Sequence, residues 1–181
     1  MSGPTPIYNR QTKGKRIKDV ADQIASILLP MVQLYQQSDD LKGYLRRSIA
    51  WTVRELAEFF KVPMNVSVRA HEEAGGRDLR NMSWNQQRAH IDPKREIYHY
   101  EHTVEVGALT ENILTAKSVD EIAAILMTYK ICWILKAENS ELNRIDAERR
   151  RLGGAKRRGE NEWRATYEKA NVVFQYPWPD S

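Results

Sequence analysis

Apolar residues recur at three- and four-residue spacing through the first third of this 181-residue chain. That period is typical of helices with one buried face. The two apolar stripes are Val20, Ile24, Ile27, Leu28, Met31 and Tyr35, then Leu41, Leu45, Ile49, Val53, Leu56 and Phe60. A polar break at residues 38–40 separates them, so we expect residues 19–63 to form a helical hairpin. Pro30 should kink or divide the first helix.

The second half of the chain alternates strand-like and helix-like segments. Residues 97–106 are rich in aromatic and β-branched residues and give the best strand candidate, and the apolar run 131–135 has the content of a buried strand. A capping box at Ser118 predicts a helix between them, and another helix is expected to begin near Glu138. This order predicts an α+β fold, mostly helical, with residues 64–171 as its second region.

The two ends of the chain differ from the rest in composition. Residues 1–18 combine Pro, Gly and basic residues and predict a flexible basic arm, whereas residues 172–181 form an aromatic tail that should pack on the body or on a partner chain. The longest unbroken apolar run, residues 122–127, is far too short to cross a bilayer. No membrane segment or secretory signal is recognised, so a cytoplasmic location is expected.

Cys132 is the only cysteine, and it lies in the apolar run 131–135. An internal disulfide and a cysteine-ligated zinc site are therefore excluded. We expect Cys132 and its neighbour Trp133 to belong to the hydrophobic core, because a buried cysteine in an apolar run is usually inert.

Lysines and arginines cluster near both ends, although the net charge is only +4, from 28 basic and 24 acidic residues. The residues that we predict to contact nucleic acid are Lys13, Lys15, Arg16, Arg149, Arg150, Arg151, Lys156, Arg157 and Arg158. Residues 149–158 contain no acid and have a Gly-Gly centre that suits a loop moulded to a phosphate backbone. The alternative is a solvated segment that keeps the chain soluble.

One group of residues has the composition of a catalytic site. Glu101 and His102 end the first predicted strand, and Asn139 begins the helix after the second. Carboxylate and amide oxygens suit a hard divalent cation. An imidazole can take a proton from water while the cation stabilises charge on a phosphate. This combination is what hydrolysis of a phosphodiester with one metal ion requires.

The strand that carries this pair, and the strand and helix that follow, resemble the HNH, or His-Me finger, nucleases over roughly residues 97–145. The resemblance implies a two-stranded ββα-metal motif embedded in the helical domain. It implies that Glu101 binds the metal and that His102 is the general base. The second ligand of Mg²⁺ or Mn²⁺ would be Asn139 or, one helical turn later, Asn143.

A metal-dependent endonuclease of restriction, homing or phage-related type is therefore the leading hypothesis, with double-stranded DNA as substrate. Such an enzyme, with one site in each chain, would be expected to act as a homodimer. The alternative is a non-catalytic protein that binds nucleic acid or another protein through its basic arms. A third possibility is a helical scaffold that assembles through the aromatic tail.

The Glu101-His102 pair also has a purely structural interpretation. Adjacent residues of an ideal strand point to opposite faces. In that case Tyr98, Tyr100 and His102 pack on the helices, while His99 and Glu101 are exposed. The secondary candidates for a functional imidazole are His99 and His90.

Overall fold

The computed structural model describes residues 10–60, 65–82 and 84–178. The fold is α+β: it is mostly helical, at 63%, with one small mixed sheet. The helices are α1 (Arg10–Gln37), α2 (Lys42–Phe60), α3 (Val68–Glu73), α4 (Gln87–His90), α5 (Val106–Thr115), α6 (Val119–Met127), α7 (Lys136–Arg151) and α8 (Trp163–Lys169). The strands are β1 (Asn65–Val66), β2 (Tyr98–His102) and β3 (Ile131–Leu135).

Within the described ranges, no helix is both long and apolar enough to span a membrane.

Helix α1 begins earlier than the sequence analysis predicts and continues through its proline. Residues 10–18 are helical and not a flexible arm, because their Lys, Arg and Gln residues are good helix formers joined to a packed segment. Residues 1–9 lie outside the described residues, as do the side chains of the predicted contacts Lys13, Lys15 and Arg16. Pro30 lies on the exposed face of α1, where water can reach the carbonyl group that loses its hydrogen bond.

Helices α1, α2, α5 and α6 form the helical part of the core. Helix α1 packs against α6 and α2, and α2 packs against α5. Fully buried side chains include Leu28, Ile49, Leu56, Ile122 and Leu126. Most of the two apolar stripes therefore faces inward, but Ile27 and Leu41 of these stripes are exposed. The two helices pack against each other as a hairpin.

Strand β3 is central in the sheet, whose order is β1-β3-β2. Strand β1 runs parallel to β3, and β2 runs antiparallel to it, with Glu101 opposite Cys132 and His102 opposite Ile131. Cys132 and Trp133 are fully buried, as expected. Helices α5 and α6 connect β2 to β3 and pack on the hairpin, so the sheet and the helices share one core.

The aromatic tail packs on the body of the protein. Its backbone follows β1, because Val68 N donates to Val173 O at 2.8 Å and Gln175 N donates to Val66 O at 2.9 Å. The Phe174 ring lies 5.3 Å from Tyr167 of α8, centroid to centroid. Residues 179–181 of the predicted tail lie outside the described residues.

Candidate functional site

Arg158 forms the centre of a buried ionic network beside β2. Its side chain is only 4% exposed, and its guanidinium donates to the carboxylates of Glu101 and Asp146, with a distance of 2.7 Å to Asp146 Oδ2. It also donates to the carbonyl oxygens of Thr103, at 2.7 Å, and His102, at 3.1 Å. The network therefore joins β2 to α7 through one arginine.

The burial of Arg158 corrects its predicted role as a phosphate contact. A run of basic residues does not reveal which of them meets buried carboxylates from distant segments. Arg149 is also engaged: its Nη2 lies 3.1 Å from Asp146 Oδ1, and its Nε donates to Ala155 O at 3.1 Å. Burial raises the pKa of Asp146, although Arg158 and Arg149 oppose that shift.

Both carboxylate oxygens of Glu101 have partners. Oε1 accepts from Arg158, and Oε2 accepts from His99 Nε2 at 2.9 Å. Burial alone would raise the pKa of Glu101, but the hydrogen bond from His99 and the charge of Arg158 outweigh it and lower the pKa. Glu101 is therefore an ionised, buried carboxylate and not an exposed one, as the structural interpretation of the sequence had it.

The predicted metal ligand Glu101 is bridged to Asp146 of α7 by the guanidinium of Arg158. Residues 139, 143 and 146 recur at helical spacing and so form one stripe of α7, and Asp146 in that stripe binds Arg158. Asn139 is half-buried and Asn143 is exposed. A cation held by Glu101 would have to displace Arg158, so the arrangement does not fit the predicted Mg²⁺ or Mn²⁺ site. The described side chains include no group of three His, Cys, Asp or Glu placed to hold a metal ion.

His102 lies on the other face of β2, away from the carboxylate of Glu101. Its ring is 5.4 Å from that of Tyr129, centroid to centroid, and its buried Nδ1 has no hydrogen-bond partner among the described residues. Burial lowers the pKa of His102 to about 4, although Glu101 opposes this shift. The structure therefore separates the predicted base from the predicted ligand, because side chains alternate along a strand.

His99 shares the face of Glu101, and sequence reasoning ranked it only as a secondary candidate. Its side chain is 32% exposed, so the imidazole joins the buried carboxylate to solvent. With Nε2 donating to Glu101, Nδ1 is the nitrogen left to accept a proton from a bound molecule. The signal that could have identified this pair is the two-residue spacing, which puts residues 99 and 101 on one face.

The end of α7 and the turn after it carry the remaining cations of the basic segment. We define the basic surface as Arg150, Arg151, Lys156 and Arg157, all of which are exposed. The first three form no ion pair at contact distance with any residue that the structure describes. Basic residues in a last helical turn also interact favourably with the helix dipole. The four side chains nevertheless present a patch of positive charge to solvent.

Both ends of the segment that carries the basic surface are fixed. Gly153 adopts a φ of +80°, which glycine tolerates, and closes α7 with a hydrogen bond from its N to Arg150 O at 3.1 Å. Beyond the turn, the Arg157 guanidinium lies directly over Gly107, and Arg158 N donates to Glu105 Oε1 at 3.0 Å. The cations therefore extend from an anchored turn.

Comparison with known proteins adds no family to these observations. No protein-family model, no curated protein and no solved structure matches the chain. The two features of the molecule that bear on function are the basic surface and the His99–Glu101 pair.

Proposed function

We propose that the protein binds nucleic acid through the basic surface. The observation that supports this proposal is the contrast within one segment, where Arg158 is buried in ion pairs while Arg150, Arg151 and Lys156 are exposed without them. Cations of this kind neutralise phosphates and release counterions, which gives affinity without base specificity. Because the turn is anchored at both ends, little ordering is required on binding.

A salt titration of binding tests this function. We would measure the affinity for a labelled DNA duplex by fluorescence anisotropy at several salt concentrations, with an RNA duplex and a single-stranded oligonucleotide as further ligands. The R150A/R151A/K156A variant should bind more weakly, and the slope of log K against log salt should fall by about 1 for each phosphate contact removed.

The matched control removes three other exposed cations that form no ion pair with a described residue. These are Arg88, Lys94 and Lys117. The R88A/K94A/K117A variant has the same net charge as the first variant and should retain the wild-type salt slope. An equal loss in both variants would show that only net charge matters, and this would contradict a site at the basic surface.

A second candidate function is the HNH-like nuclease, and the His99–Glu101 pair favours it. The strand-strand-helix unit β2–β3–α7 would be the ββα motif of this proposal. The proton acceptor would be His99, which is half-exposed, and not His102, whose Nδ1 is buried. Glu101 would orient the imidazole through its hydrogen bond, and Arg158 would hold Glu101 in its ionised form.

Cleavage assays distinguish this enzyme from a binding protein. Supercoiled plasmid and an oligonucleotide would be incubated with Mg²⁺, Mn²⁺ or EDTA. His99→Ala should abolish cleavage, while His102→Ala and the exposed control His90→Ala should retain it. Loss with His102→Ala alone would restore the assignment made from the sequence, and loss in EDTA would show that cleavage needs a divalent metal ion. No cleavage by the wild-type protein would leave the binding function alone.

A further inference from the structure

The outer face of the α1–α2 hairpin exposes large apolar side chains. Among the described residues, five of the nine exposed large hydrophobic residues lie on this hairpin or in its turn. The most exposed are Ile27 (65%) on α1 and Tyr44 (64%) and Trp51 (65%) on α2, and Leu34 on α1 is 42% exposed. We call these four residues the hairpin face. Within each helix the two residues are seven positions apart and so share one side of the helix. Exposed apolar surface of this kind marks interaction sites.

The composition of the hairpin face suits a protein partner better than a nucleic acid. Residues 23–38, which include the α1 part of the face, contain no charged side chain and so offer nothing to a phosphate. Tyr, Trp and Arg are enriched at protein interfaces, whereas Lys, Glu and Asp are depleted. Arg47 and Arg54 lie beside the two aromatic residues on the exposed side of α2.

Two charged residues of α2 are arranged symmetrically about Trp51. Arg47 precedes it by four residues and Glu55 follows it by four, so all three lie on one side of the helix. Neither Arg47 nor Glu55 forms an ion pair with a described residue. If a second α2 crosses antiparallel at Trp51, Arg47 of each copy faces Glu55 of the other. The face is therefore complementary in charge to itself.

We propose that two copies of the chain associate through the hairpin face, with their α2 helices antiparallel about a two-fold axis at Trp51. The contact is isologous, because the same surface serves both copies. Trp51 meets its counterpart on the axis, the Arg47 and Glu55 pairs flank it, and the uncharged stripe of α1 extends the apolar area. This inference is independent of the proposed nucleic-acid binding.

Sedimentation velocity of the full chain over a range of concentrations tests the proposal. The wild-type mass should rise with concentration from 21.0 kDa towards twice that value. Arg47→Glu and Glu55→Arg should each weaken association by at least about tenfold, because symmetry places like charges opposite each other twice. The double variant R47E/E55R should restore it, because the pairs re-form with reversed signs.

Two further variants separate the contact from a general surface effect. Trp51→Ala should abolish association, whereas Leu152→Ala, which removes a side chain that is 69% exposed elsewhere, should not change it. Circular dichroism would confirm that each variant is folded, which is expected because the substituted side chains are mostly exposed. A wild-type protein that stays monomeric, a dimer indifferent to Trp51→Ala and Arg47→Glu, or a double variant that is not restored would each overturn the proposal.

Discussion

The two faces of β2 bury different kinds of side chain: an ionised carboxylate on one face and uncharged rings on the other. On one face, Glu101 is ionised and bound by His99 and Arg158. On the other, the Tyr100 ring lies 4.7 Å from Trp133, and His102 has a pKa lowered to about 4, so it is uncharged at neutral pH. In β2 the buried charge therefore lies on the face where the carboxylate has partners. Neighbours in sequence can have quite different electrostatic environments.

Removing Arg158 should give the largest loss of stability, on the ionic face. Arg158→Met leaves Glu101 and Asp146 buried without their shared cation, and the free energy of unfolding should fall by about 4 kcal/mol. Urea denaturation measures this loss. Without the arginine both carboxylate pKa values rise in the folded state above their unfolded values, so the deficit should shrink as the pH falls towards about 5.

The triple variant R158M/E101Q/D146N tests whether charge or packing causes the loss of stability in Arg158→Met. It removes all three charges while keeping the side-chain sizes similar, so it should be more stable than Arg158→Met alone. A triple variant as unstable as the single one would mean that packing, and not charge, accounts for the loss.

Tyr100→Ala should give the next largest loss, on the aromatic face. The Tyr100 side chain is 8% exposed and packs edge-on against Trp133, so a cavity should lower the free energy of unfolding by about 3 kcal/mol. Because Glu101 and Asp146 keep their bonds to His99 and Arg158, the loss should be the same at about pH 5 as at about pH 7.5. A loss that depends on pH would show that the two faces are coupled.

His102 should make the free energy of unfolding depend on pH, and this effect should be smaller than the loss in Tyr100→Ala. Its folded pKa of about 4 lies below the unfolded value, so the unfolded chain binds the extra proton first as the pH falls. The stabilisation is fully present above the unfolded pKa and decreases as the pH falls towards 4, with a loss of about 2 kcal/mol by about pH 5. His102→Gln should remove this dependence, and the exposed control His90→Gln should not.

His99→Ala should have the smallest effect on stability. The imidazole is half-exposed, and Glu101 keeps its bond to Arg158, so the free energy of unfolding should fall by less than about 1 kcal/mol. Thermal unfolding checks this. A fall as large as that of Arg158→Met would make His99 a structural member of the network and remove the reason for considering it a proton acceptor.

Local patterns in the sequence predicted the elements that depend on local interactions. Ser118 caps α6 as the capping box indicates, with Glu121 N donating to its Oγ at 3.1 Å, and the run 131–135 forms the buried strand β3. The prediction that the first helix begins near residue 19 was wrong, since α1 begins at Arg10. A basic composition is typical of flexible segments, but Lys and Arg are also good helix formers.

The parts of the candidate site that could not be predicted depend on contacts between distant segments. Arg158 meets Glu101 and Asp146 from two different elements, and nothing in the basic run distinguishes it from Arg157, which stays exposed. The roles of His99 and His102 depend on which face of β2 meets the network. Strand alternation restricts them to opposite faces but does not decide which is which.

The contact of the aromatic tail with β1 has a consequence for how the protein folds. A two-residue strand leaves backbone groups open on its outer side, and here residues 172–178 pair with them. Asn65 completes the pairing, since its Nδ2 donates to Tyr176 O at 2.7 Å. An uncovered edge invites pairing with another chain. During synthesis, this edge therefore stays open to aggregation until more than a hundred further residues have been added.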